Sequence, residues 1–95
     1  MPDIDAYLGF REAAESAIRR AIDAAAEARG TDLRRGLEDT EAALADAILL
    51  SPDTRTRERL ERALGTVRRA LGDFELGMLA ELGALVEHAL ADIAT

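Results

Sequence analysis

The residues best equipped for chemistry are paired glutamates. Three pairs stand three residues apart: Glu12 and Glu15, Glu38 and Glu41, and Glu58 and Glu61. This spacing places both carboxylates of a pair on one helix face. Inward-facing glutamates hold di-iron centres in helical bundles, but those sites also use two Glu-x-x-His motifs. The chain has 1 His, no Cys and no Glu-x-x-His. We therefore interpret the pairs as solvated surface charge and expect no metal and no cofactor.

His88 is the chain's imidazole, and Asp92 follows it by one helical turn. A His–Asp pair at this spacing can chelate a metal or orient a general base. Glu81 lies about 10 Å away along the same helix, too far to join the pair unaided. The simplest interpretation is a partly exposed His88 paired with Asp92. The alternative is a metal bound by His88 from several chains of a symmetric oligomer.

Motifs of the common enzyme classes are missing. Neither Ser lies in a Gly-x-Ser-x-Gly pattern, and no Gly-x-Gly-x-x-Gly, phosphate-loop or calcium-loop pattern occurs. The lack of Cys excludes disulfides, thiol chemistry, Cys-ligated zinc and iron–sulfur clusters. We therefore predict a protein that is not an enzyme.

Composition favours helices. The chain is rich in Ala, Leu, Arg and Glu, which are strong helix formers, and aromatic residues make up 3%. The net charge of −7 disfavours binding to nucleic acid or to an anionic membrane. No uncharged apolar run of membrane-spanning length occurs, and no basic or apolar signal sequence follows Met1. We expect a cytoplasmic protein that contacts neither nucleic acid nor membrane.

Apolar residues in the first half recur at three- and four-residue steps, the period of an amphipathic helix. The first stripe contains Ile4, Tyr7, Leu8, Ala14, Ile18, Ala21, Ile22 and Ala25, and the second contains Leu33, Leu37, Leu44 and Ile48. Asp3 is predicted to cap the first helix, and Gly30 to end it in a left-handed conformation. Thr31 or Asp32 is expected to cap the second helix.

The second half carries a heptad seam. It consists of Leu60, Leu64, Val67, Leu71, Phe74 and Met78, after which the apolar stripe moves to Leu82, Leu85, Val86, Ala89 and Ile93. This drift indicates a wider buried face or a break near Gly72-Asp73. Ser51 as N-cap and Pro52 at the first helical position predict a helix start between the two halves.

A reversal at Ser51-Pro52 would place the two candidate breaks, Gly30-Thr31-Asp32 and Gly72-Asp73, at the same level. If the breaks are kinks, two long arms form an antiparallel helical hairpin that needs a partner chain. If they are turns, four helices form a bundle. We therefore predict one all-α domain over residues 1–95, either hairpin or four-helix bundle, completed by oligomerisation.

Residues 73–95 carry five acidic residues and no basic one, and apolar groups on more than one side. A helix that is apolar on more than one face is normally buried on more than one face. We therefore predict a subunit interface here. Its residues are Leu71, Phe74, Met78, Leu82, Leu85 and Ala89.

Two further charged sets are predicted to be structural. Arg11 and Glu15 lie toward the apolar side of the first helix and are expected to form a half-buried ion pair. A basic stripe runs along the third segment through Arg55, Arg59, Arg62 and Arg69. Because glutamates stand four residues from several arginines, we interpret the stripe as a solvated or intersubunit ion-pairing face.

These observations favour a non-enzymatic helical protein of scaffold or adaptor type that self-associates as a homodimer or higher oligomer and binds another protein. The net charge of −7 leaves open an acidic, antitoxin-like inhibitor that covers a basic site on a nucleic-acid-binding enzyme. A metal or small-molecule carrier built at an oligomer axis is the third hypothesis.

Overall fold

A computed structural model describes residues 3–94. They form α1 (Ile4–Ala26), α2 (Gly30–Leu49), α3 (Thr54–Glu75) and α4 (Leu82–Ala94), with a 3-10 turn (Leu79–Glu81) before α4. Each helix packs against the next in the chain, and α4 closes against α1. The described residues measure 43 × 19 × 18 Å. The single chain therefore folds as a four-helix bundle rather than as a two-armed hairpin.

The core draws on all four helices. Its largest fully buried apolar side chains are Ile18, Leu37, Leu44, Leu60, Val67, Leu82, Val86 and Ile93. Every one of them belongs to a stripe predicted from periodicity. Thr40 is buried among them, and its hydroxyl donates to the Gly36 carbonyl at 2.7 Å, which satisfies the polar group.

The contact between α1 and α2 depends on small residues. A Cβ placed on Gly36 would lie 3.1 Å from both the Cβ and the backbone nitrogen of Ala21, and 3.2 Å from the Ala17 carbonyl oxygen. Two of these three neighbours are backbone atoms, which cannot move aside as a side-chain end can. The two helices therefore approach closely because position 36 carries no side chain.

The predicted helix starts are partly correct. Asp3 caps α1 and accepts from the Ala6 backbone N–H at 2.9 Å. For α3 the predicted cap, Ser51, is wrong: Asp53 accepts from the Thr56 backbone N–H at 2.7 Å. The Ser51 hydroxyl instead donates back to the carbonyl of Ile48 in α2.

At the start of α2, neither predicted cap residue serves as the cap. Thr31 and Asp32 lie inside the helix, and Arg29 precedes it without a side-chain cap. Asp32 instead accepts from the Arg29 guanidinium at 2.7 Å.

Both predicted helix ends are displaced. Two residues after the end of α1, Ala28 has a left-handed φ of 55°, and the Arg29 N–H bonds to the Ala24 carbonyl at 2.8 Å. Two residues after the end of α3, Gly77 has a φ of 73°, and the Met78 N–H bonds to the Asp73 carbonyl at 2.8 Å. Both ends are Schellman motifs. The left-handed residue is therefore Ala28, not Gly30, and α3 continues through Gly72-Asp73.

Candidate interaction surface and groove

The structure separates the predicted interface residues into three settings. Leu82 and Ala89 are buried in the chain's own core. Leu71, Phe74 and Leu85 are half-buried against that core, and Met78 is exposed. The inclusion of Leu82 and Ala89 is corrected here, because they have no exposed surface to offer a second chain.

The two apolar sides of α4 have an explanation within one chain. Helix α4 packs against both α1 and α3. Leu82, Val86, Ala89 and Ile93 are buried, and Leu85 and Leu90 are half-buried against the same core. The apolar breadth of α4 therefore does not by itself require a partner.

A turn patch, made of Leu76 and Met78, lies between α3 and α4. Their exposed fractions are 76% for Leu76 and 48% for Met78. The Schellman motif around Gly77 reverses the chain here, so neither side chain continues the buried face of α3. Met78 was predicted as a contact residue, whereas Leu76 was missed. The signal for Leu76 was its position just before a helix-ending Gly.

A base patch, made of Ile4, Leu8 and Leu49, lies at the opposite end of the bundle. All three side chains are exposed, Leu49 by 82%. Ile4 and Leu8 were expected in the first apolar stripe. Arg11 reaches the carbonyl of Ile93, so α4, as described, ends near the level of residue 10 of α1. The first turns of α1 extend past the described end of α4, and there Tyr7 is buried while Ile4 and Leu8 are exposed.

An apolar groove of about 440 Å³ opens at the turn end of the bundle. Its walls are formed by Ile22, Ala25, Ala26, Ala28, Gly30, Leu33, Phe74, Ala80, Leu82, Gly83, Val86 and Glu87. Arg11 of α1 contacts Ile93 of α4. Counting eleven residues along each helix from this contact places Leu82, the first residue of α4, level with Ile22. The last turn of α1 therefore extends past the start of α4, and the groove lies between that turn, the start of α2 and the first residues of α4.

Glu87 is the charged residue among the described groove walls. Its side chain is exposed. Within residues 3–94 that side chain has neither an ion-pair partner nor a hydrogen-bond partner. Two other acidic residues of this end are paired. Glu75 lies 2.9 Å from Arg34, and Glu81 lies 3.7 Å from Arg69.

His88 and Asp92 occupy an open surface groove between α3 and α4, together with Arg62 and Arg69. The His88 Nε2 lies 4.0 Å from Asp92 Oδ2, and the histidine side chain is 72% exposed. This matches the predicted exposed pair, and Glu81 bonds elsewhere. The four residues of the basic stripe lie along this side of α3.

Two arginines hold the end of α4. Arg11 Nε donates to the Ile93 carbonyl at 3.2 Å, and Arg59 Nε donates to the Asp92 carbonyl at 3.0 Å. The last carbonyls of a helix lack partners within it, so these bonds cap α4. The predicted Arg11–Glu15 pair is wrong, because Arg11 reaches across to α4. Glu15 pairs instead with Arg19 at 2.9 Å.

The described residues lack two other features, a cluster of metal-ligating side chains and a membrane-spanning helix. Within residues 3–94, no group of three or more His, Asp or Glu side chains is arranged to hold a metal ion. No helix in that range combines the length and apolarity needed to cross a bilayer.

Comparison of the chain with protein-family models, curated proteins and solved structures finds no match. A function for this chain therefore has to be argued from its own residues and geometry.

Proposed function

We propose that this protein is a non-enzymatic, cytoplasmic interaction module that self-associates and binds another protein through the turn patch. The observation that supports this proposal is the exposure of both Leu76 and Met78, two residues apart in the turn between α3 and α4. Single exposed apolar residues are common, but neighbouring ones that form a patch mark interaction sites.

A two-fold contact makes good use of a small patch. In such a contact the same surface is buried on both chains, so each residue contributes twice. Fully burying a leucine or methionine side chain contributes about 1.5–3 kcal/mol. Two copies of Leu76 and Met78 therefore supply a useful part of the free energy of association.

The charges around the turn patch are compatible with self-association, although the chain carries −7 overall. Asp73 Oδ2 is buried without a hydrogen-bond partner in residues 3–94, but Glu75 is paired with Arg34 and Glu81 with Arg69, so these two carboxylates near the patch are matched locally. Two copies brought together at this end would not place those carboxylates against each other unpaired.

Sedimentation equilibrium at micromolar concentration tests the proposal. We expect a mass of twice the chain's 10.2 kDa, returning toward 10.2 kDa in Leu76→Glu. The matched control is Leu49→Glu, which makes the same change at an equally open position of the base patch. Both side chains are largely exposed, so neither substitution disturbs the core, and circular dichroism melts verify that.

A wild-type mass of 10.2 kDa at every concentration would overturn self-association. A dimer that is dissociated by Leu49→Glu and not by Leu76→Glu would move the contact to the base patch and overturn the assignment to the turn patch.

A further inference from the structure

The apolar groove is separate from the turn patch, since neither Leu76 nor Met78 is among its described walls. Its volume of about 440 Å³ lies within the range of about 300–1,000 Å³ typical of small-molecule sites. Such sites combine mainly apolar walls with a few polar groups that orient the ligand. The groove has this composition within a single chain, without an oligomer axis.

Its size argues against a docked helix as the occupant. Its helical walls span residues 22–26 of α1 and 82–87 of α4, about one and a half helical turns. This length is less than the two or more turns that carry the anchors of a helix-in-groove complex. A compact ligand matches the available space better.

The charge of the groove defines the ligand's chemistry. Among residues 3–94 the Glu87 carboxylate has no partner, and the other described walls of the groove are uncharged. A cationic group beside it would form a charge-assisted contact, whereas an anionic group would be repelled. We propose that the groove binds a small amphiphilic amine. Its aliphatic or aromatic body would lie among Leu33, Phe74 and Val86, with its ammonium group at Glu87.

Two probes with one tail and opposite heads test this proposal: decylammonium and decyl sulfate, both kept below their micelle concentrations. Binding is followed by NMR chemical shifts of the Gly83 amide and the Phe74 ring. We expect decylammonium to bind about two- to five-fold more tightly, the effect of an exposed charge pair. Glu87→Gln should remove that preference while both probes still bind.

Filling the groove tests its location. A Cβ on Gly83 would meet nothing within 4 Å, so the side chain of Gly83→Leu would enter the open groove without a clash. We expect this variant to lose at least ten-fold in affinity for both probes. The matched control is Gly9→Leu, another helical glycine with open space around it, which should bind as the wild type does.

Three results would overturn the proposal. One is equal binding of the two probes to the wild type. Another is a preference for decylammonium that persists in Glu87→Gln. The third is undiminished binding in Gly83→Leu. Leu76→Glu, which tests self-association, leaves the groove walls intact and should not change probe binding, so failure of one proposal is distinguishable from failure of the other.

Discussion

The first hairpin, α1 with α2, and the second hairpin, α3 with α4, differ in the surroundings of their helical glycines. In the first, Gly36 lies against Ala17 and Ala21, and the helices approach closely. In the second, a Cβ on Gly65, Gly72 or Gly83 would meet nothing within 4 Å. Small residues let the backbones of α1 and α2 approach closely, and these helices have 23 and 20 residues. The second hairpin instead joins a helix of 22 residues to one of 13.

The short α4 explains where apolar surface remains. At 1.5 Å per residue, α4 is about 20 Å long and α1 about 34 Å. Both ends of α1 therefore extend past α4. The overhang at one end forms a wall of the groove, and the overhang at the other exposes Ile4 and Leu8 of the base patch. The groove and the base patch therefore lie where α4 does not reach the ends of α1, whereas the turn patch lies in the turn of the second hairpin itself.

The largest effect is expected from filling the close contact of the first hairpin. Gly36→Leu would force a side chain against backbone atoms of α1, and overpacking of this kind costs up to about 3 kcal/mol. Its matched control in the second hairpin is Gly65→Leu, since a Cβ there meets nothing within 4 Å. Leucine is the better helix former, so this variant should be as stable as the wild type or more stable.

Urea denaturation midpoints of the two glycine variants measure the difference. Equal midpoints would show that α1 and α2 do not depend on the missing side chain. The two hairpins would then not differ in the way described.

A smaller effect is expected where α4 is tied to both hairpins. Arg11 from α1 and Arg59 from α3 each donate to a carbonyl near the end of α4. A hydrogen bond from a charged donor contributes about 1.5 kcal/mol or more. Arg11→Ala and Arg59→Ala should each destabilise by about that amount and speed amide hydrogen exchange in α4. Arg35→Ala, at an exposed position of α2 without an ion pair in residues 3–94, is the control.

The two helix ends with the same motif offer a reciprocal test. A left-handed conformation costs a non-glycine residue about 1–2 kcal/mol, partly offset by the greater freedom of unfolded glycine. Ala28→Gly should therefore stabilise the first hairpin by about 0.5–1 kcal/mol, and Gly77→Ala should destabilise the second by a similar amount. Thermal melts of both variants measure this, and shifts of the same sign would contradict the shared motif.

Periodicity predicted the four core stripes because a buried helix face repeats along the sequence whatever its partner is. It could not predict which residue ends a helix. Gly30 and Gly72 looked like terminators, yet the left-handed residue of the first turn is Ala28, held by a bond from Arg29 to Ala24. That position depends on the geometry of the turn rather than on glycine content.

The candidate surfaces were harder to predict, because they depend on which helix covers which. Leu82 and Ala89 were predicted to lie in an interface because α4 is apolar on two sides. Contacts of α4 with α1 and α3 cover both of these sides within the chain. The groove lies where α1 extends past the start of α4, so it depends on the different lengths of these two helices. No local sequence pattern encodes that difference.

The smallest effect concerns the start of α3, where Asp53 provides a side-chain cap that α2 lacks. The hydrogen bond from the Thr56 N–H holds the pKa of Asp53 below its ordinary value. Its stabilisation is therefore fully present above the unfolded pKa of about 3.9 and lost as pH falls through the lower folded value. Asp53→Asn keeps an acceptor but does not titrate. The difference in urea midpoint between wild type and Asp53→Asn should stay constant above about pH 5. As pH falls toward about 2, the wild-type midpoint should fall relative to that of the variant. A gap independent of pH would show that the cap is not formed.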